Sequence, residues 1–228
     1  MSIEDNDNYY VLEEDDKDLD QSPLNFAAYK EEDIQEEEDI KLDGKKKSAF
    51  GILFNIMFNP VEGWKMLRRS RTGVESLQSG CFYPLLALLA LSKFAEYFYS
   101  VNVNLSQIIT EAVIAFVAFF FGYFSIPMVL SWFIKKEMSE RFENIFGKEY
   151  ILIALSTLVI FSIVTDLLPM LWPILIFLPI WTLYLMFKGV RFFKFPEKEE
   201  MKFFLLSGAS VIGVPLLIDW ALNAILPY

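Results

Sequence analysis

Residues 150–187 read YILIALSTLVIFSIVTDLLPMLWPILIFLPIWTLYLMF, 38 residues in which Asp166 is the only charge. As one helix at about 1.5 Å per residue this run would be roughly 57 Å long, nearly twice the hydrocarbon thickness of about 30 Å. It is therefore expected to cross a bilayer twice, turning at Asp166 with Pro169 just beyond. Irregular backbone and open sheet edges are excluded from lipid because their polar groups have no partners there, so both crossings are expected to be helices.

Working outward, the same pattern recurs. Phe82–Ser100 is apolar but for Lys93 and Glu96. Ile108–Ile134 carries only Glu111, and Phe203–Leu226 only Asp219. The chain is thus predicted to be an all-α integral membrane protein of five transmembrane helices, at about 82–100, 108–134, 150–166, 169–187 and 203–226. Lys and Arg then set the orientation. Seven lie between Lys45 and Arg71, none in 101–107, four in 135–149, none near Asp166, five in 188–202 and none after that. Every basic segment falls on one side, which predicts a cytoplasmic amino end and a carboxyl end on the opposite side.

The rest of the chain differs sharply. Residues 1–43 hold 17 Asp/Glu against 3 Lys, whereas residues 44–228 hold 13 against 17 Lys/Arg. High charge with little to bury predicts a disordered acidic cytoplasmic tail over residues 1–44, with islands at Tyr9–Leu12 and Leu24–Phe26 able to dock an unknown protein partner. The tail has no basic segment leading into a short apolar run, so it does not read as a signal peptide. The acidity argues against nucleic acid as a partner. The chain contains no His, which removes His-dependent hydrolases, HExxH zinc sites and His-ligated haem. Its single Cys, Cys81, allows neither an internal disulfide nor a Cys-cluster metal site. No cofactor is expected.

Residues 45–80 form a basic juxtamembrane segment. Phe50, Leu53, Phe54, Met57 and Val61 recur at helical spacing after Lys45, Lys46 and Lys47, and Lys65, Arg68, Arg69 and Arg71 follow. The apolar run is too short to span. It suits a short amphipathic helix at the membrane interface, its basic residues contacting anionic headgroups; a helix packed under the bundle is the alternative. Asn59-Pro60 restarts the helix, since Pro60 suits a first turn.

The only candidate chemistry inside the membrane is a polar cluster in the outer half: Lys93, Glu96, Glu111, Asp166 and Asp219. Intramembrane charges are costly and are normally paired or exposed to water. Lys93 is expected to pair with Glu96, one turn away, or with Asp219 across the bundle. Tyr83, Trp132, Phe192 and Phe193 are placed at the cytoplasmic aromatic belt, and Tyr97, Tyr99, Trp172, Trp220 and Tyr228 at the outer one. Pro127, Pro173, Pro179 and Pro215 fall within spans, and the Gly208/Gly213 pair offers the last one a flat packing patch.

This layout resembles the Yip-one (Ypt-interacting-protein) domain family, particularly its bacterial members. The resemblance covers about residues 50–228 and rests on the polar acidic amino segment, on Asn59-Pro60-Val61-Glu62-Gly63-Trp64 ahead of the first span, and on five closely spaced helices. It implies a helical membrane bundle without known enzymatic chemistry, in the bacterial cytoplasmic membrane. Eukaryotic relatives act in vesicle traffic and bind small GTPases; this chain lacks their Asp-Leu-x-Gly-Pro element, and Gly122-Tyr123 only echoes their second motif. The expected function is a non-enzymatic membrane scaffold or interaction protein. The alternative is a small transporter or ion-conducting protein using the five charged residues.

Overall fold

The structure is a computed structural model that describes residues 48–70, 72–99, 104–134, 147–171, 173, 177–193 and 195–226. The acidic tail, Lys45, Lys46, Lys47 and Arg71 lie outside the described residues, as does most of the loop 135–149. Among the described residues all regular structure is helical. The principal helices are α1 (Ala49–Phe58), α2 (Pro60–Arg69), α3 (Val74–Ala95), α4 (Leu105–Phe133), α5 (Gly147–Leu167), α6 (Leu178–Val190) and α7 (Glu197–Ile225).

Four of them, α3, α4, α5 and α7, are long and apolar enough to cross a membrane. Helix α3 starts eight residues before the expected Phe82, because Glu75, Ser76, Gln78 and Ser79 dilute the hydropathy of a stretch that is nonetheless helical. It contains a π-helical turn at Gln78–Phe82. Asn104 caps α4 by accepting from the Ser106 amide.

The segment expected as the fourth span, 169–187, is not one long helix. It shows a 3-10 turn at Pro169–Leu171 and then the 13-residue α6, about 20 Å long. Pro169 follows Leu168, which has already left α5, and Pro179 stands in the first turn of α6, where its missing amide hydrogen leaves no helical bond unmade. Helix α6 nevertheless runs back along α5. Tyr150, near the start of α5, donates its hydroxyl to the Met186 carbonyl near the end of α6 at 3.3 Å.

The expected interfacial helix is two helices folded on each other. In α1, Ala49, Ile52, Leu53, Ile56 and Met57 are buried against the bundle, which leaves Phe54 and Phe58 on the open face. The same chain turns at Asn59 and returns as α2. Helices α4 and α7 pack at a close crossing, where a Cβ on Gly122 would lie 3.1 Å from Pro215. Pro127 and Pro215 sit inside unbroken helices.

Candidate functional site

Two built clusters lie at opposite ends of α5. At its end, Asp166 is the penultimate helical residue. Lys93, in the last turn of α3, donates from Nζ to Asp166 Oδ1 at 2.8 Å. The Ser92 hydroxyl donates to Asp166 Oδ2 at 2.7 Å. Tyr99 adds a bond from its hydroxyl to the Leu167 carbonyl at 3.1 Å. The pair is mostly enclosed, with side-chain exposures of 24% for Lys93 and 18% for Asp166. Both carboxylate oxygens therefore have donors, as a carboxylate held in a low-dielectric bundle requires.

Lys93 is thus bonded to Asp166 and not to Asp219, while the expected pairing with Glu96 falls on a side chain outside the described residues. Asp219 accepts from Asn223, one turn along its own helix, at 3.2 Å. Glu111 is likewise engaged by Gln107 at 2.9 Å. The Glu96 side chain lies outside the described residues. The structure brings Lys93 and Asp166 together across the α3–α5 interface, adds Ser92, and leaves Glu111 and Asp219 on local partners. A matching signal was present in the chain: Lys93 and Asp166 both stand near the outer ends of their expected spans.

The second cluster explains the Asn59–Trp64 segment residue by residue. Asn59 ends α1 by donating its amide to the Asn55 carbonyl at 2.7 Å, and Pro60 opens α2. Glu62 pairs with Lys65 at 3.7 Å. Gly63 crosses α1 so closely that a Cβ would lie 2.4 Å from the Ile56 Cα. Trp64 is 1% exposed, and its indole donates to the Leu185 carbonyl in α6 at 3.0 Å. That approach depends on Gly189: a Cβ there would be 2.7 Å from the indole.

Around Trp64 the aromatic rings converge. Tyr150 lies 5.6 Å from it, and Phe193 and Phe203 lie 5.4 and 6.1 Å from Tyr150 between ring centroids. The Tyr150 hydroxyl also meets Ser207 at 3.3 Å. This hub ties α2, α5, α6 and α7 at one end of the bundle. Phe193, expected in the aromatic belt, is fully buried here instead, because the turn after α6 folds it under Tyr150. Arg68 and Arg69 are exposed in the last turn of α2, whereas the Lys65 side chain is largely enclosed, at 14% exposure, beside Glu62.

A family model described as the Yip1 domain matches residues 54–219. The chain belongs to the Yip1 domain family. The Yip1 match opens inside α1, takes in the Asn59–Trp64 segment and the hub, and ends at Asp219 in α7. Comparison with curated proteins and with solved structures gives no significant match. Family and helices together make this Yip1 protein an integral, multi-pass membrane protein.

Proposed function

We propose that this Yip1 protein is a non-enzymatic membrane scaffold of the bacterial type, built to present its cytoplasmic face to partners. The observation that carries the reading is how the intramembrane charges are used. Lys93 is bonded to Asp166, Gln107 to Glu111 and Asn223 to Asp219, all within the bundle. The Lys93–Asp166 pair joins two helices, and Glu111 and Asp219 each hold a partner on their own helix, whereas the transporter alternative would need these groups available.

In this reading the chain crosses five times, with Pro169–Val190 as a proline-broken crossing between α5 and α7. The return of α6 along α5 and the basic residues Lys188 and Arg191 at its end support it. The amino end is then cytoplasmic and the carboxyl end lies across the bacterial cytoplasmic membrane. Lys65, Arg68 and Arg69, with Lys45, Lys46, Lys47 and Arg71, face anionic headgroups, and residues 1–44 reach out to a protein partner.

Full-length protein in sealed vesicles tests this against the alternative. A scaffold gives cation and proton leakage equal to empty vesicles, with and without Lys93→Met. Gradient-driven flux that Lys93→Met abolishes would replace the scaffold reading with a transporter. In-cell crosslinking from native membrane should recover a partner that is lost when residues 1–43 are deleted.

A further inference from the structure

The open face of α1 has a depth that the bundle itself measures. Trp181 in α6 donates its indole N–H to the Met57 carbonyl at 3.2 Å, which fixes the end of α1 against that point of α6. Trp181 lies seven residues before Lys188 on the same helix, so it sits about 10 Å further in than that lysine. Lys188 lies over the Tyr184 ring at 5.6 Å, and Arg191 over Phe187 at 5.1 Å. Their charges mark where α6 meets the headgroups, since basic side chains keep their heads at that level. Met57 and its neighbour Phe58 are therefore at hydrocarbon depth.

The chemistry of the hairpin suits that depth. Phe58 is 80% exposed and stacks on the half-exposed Phe54 at 6.4 Å between centroids, forming an aromatic face open on its outer side. At the turn, the Asn59 amide reaches Asn55, the Gly63 amide reaches the Asn59 carbonyl, and Pro60 carries no N–H, which limits the open backbone groups that lipid penalises. Glu62, just past the turn, is paired with Lys65. Both flanks of the hairpin are basic, with Lys45, Lys46 and Lys47 before it and Arg68 and Arg69 closing it.

We infer that α1 and α2 form a re-entrant hairpin that enters and leaves the bilayer on the face carrying Lys188 and Arg191, with Phe54 and Phe58 seated against the acyl chains of that leaflet alone. The inference rests on reading Lys188 and Arg191 as the headgroup level of α6. It adds an acyl-chain contact to a segment whose charges suggest headgroup contact, and it makes the protein wider in one leaflet than in the other.

The test uses the full-length chain with Cys81→Ala in phosphatidylcholine–phosphatidylglycerol vesicles. Single cysteines at Phe58→Cys, Ser70→Cys and Leu216→Cys carry a nitroxide whose collisions with oxygen and with a water-soluble nickel chelate are compared. Phe58 and Leu216 are exposed on the surface of the protein, so a label there needs no room inside the bundle. The expected result is loss of nickel broadening, with strong oxygen broadening, at 58 and 216, and the reverse at 70. Nickel broadening at 58 with lipid behaviour at 216 overturns the hairpin and leaves the membrane bundle standing. Nickel broadening at both overturns the membrane reading itself. Shielding from both reagents at 58 means that a second protein surface covers it, and equally overturns the lipid contact.

Discussion

Gly63→Ala should open the α1–α2 hairpin. The added Cβ would lie 2.4 Å from the Ile56 Cα, 2.5 Å from its amide nitrogen and 2.7 Å from its Cγ1. Non-bonded carbons settle at about 3.5–4.0 Å, so the two helices must part by more than about 1 Å. Overpacking of this kind costs about 1–3 kcal/mol, and a backbone obstacle puts it at the upper end, near 3. Alanine recovers about 1 kcal/mol of helix propensity over glycine, leaving a net loss of about 2 kcal/mol. For a chain of this size that is a fall in Tm of about 4–8 °C, read by thermal unfolding in detergent. The other glycines supply the controls. Gly51 and Gly213 have nothing within 4 Å, so alanine there should leave Tm level or raise it. Gly208→Ala meets only the Leu183 Cδ2 at 2.8 Å, a flexible tip that can swing away, and should cost little. An unchanged Tm for Gly63→Ala would refute the close crossing. So would recovery on adding Ile56→Ala, because the obstructing Cα and nitrogen remain in that double mutant.

Gly189→Ala should lower Tm as Gly63→Ala does, since the Trp64 and Tyr150 rings at 2.7–3.0 Å are rigid; tryptophan fluorescence should show the Trp64 indole displaced. Lys93→Met should destabilise the protein in detergent by no more than the roughly 3–5 kcal/mol of a broken buried pair, and adding Asp166→Asn should restore part of the loss in the same melting assay. Adding Asp219→Asn instead should restore nothing. Reporter fusions after Asn104 and after Tyr228 should read as external and one after Lys148 as cytoplasmic; a cytoplasmic reading after Tyr228 would give an even number of crossings. A peptide of residues 44–72 should bind anionic vesicles in a salt-dependent manner and neutral ones far more weakly, as vesicle flotation would show.

Some of this protein was readable from the chain alone because it depends on sums over neighbouring residues. Transfer of a 20-residue stretch into lipid adds up residue by residue, so α4, α5 and α7 were legible with approximate ends. Axial position is equally local, which is why Lys93 and Asp166 could both be placed toward the same side of the bundle. The start of α3 was missed because polar residues lower hydropathy without breaking a helix.

What the tertiary structure decided depends on azimuth and crossing angle, which no window of sequence contains. Lys93 finds Asp166, 73 residues away, because their helices face each other, while Asp219 turns to its own Asn223. Glycine spacing in α7 suggested the Gly208/Gly213 patch, yet Gly213 meets nothing and Gly208 only the flexible Leu183 tip at 2.8 Å, while Gly63 meets backbone and Gly189 rigid rings, where another element happens to cross. Phe193 is apolar enough for the membrane belt or the core, and only the fold of the turn after α6 puts it beneath Tyr150. Asn59-Pro60 announced a turn; that the turn brings Trp64 to the Leu185 carbonyl, 121 residues along the chain, follows from the missing side chain at Gly189 on a different helix.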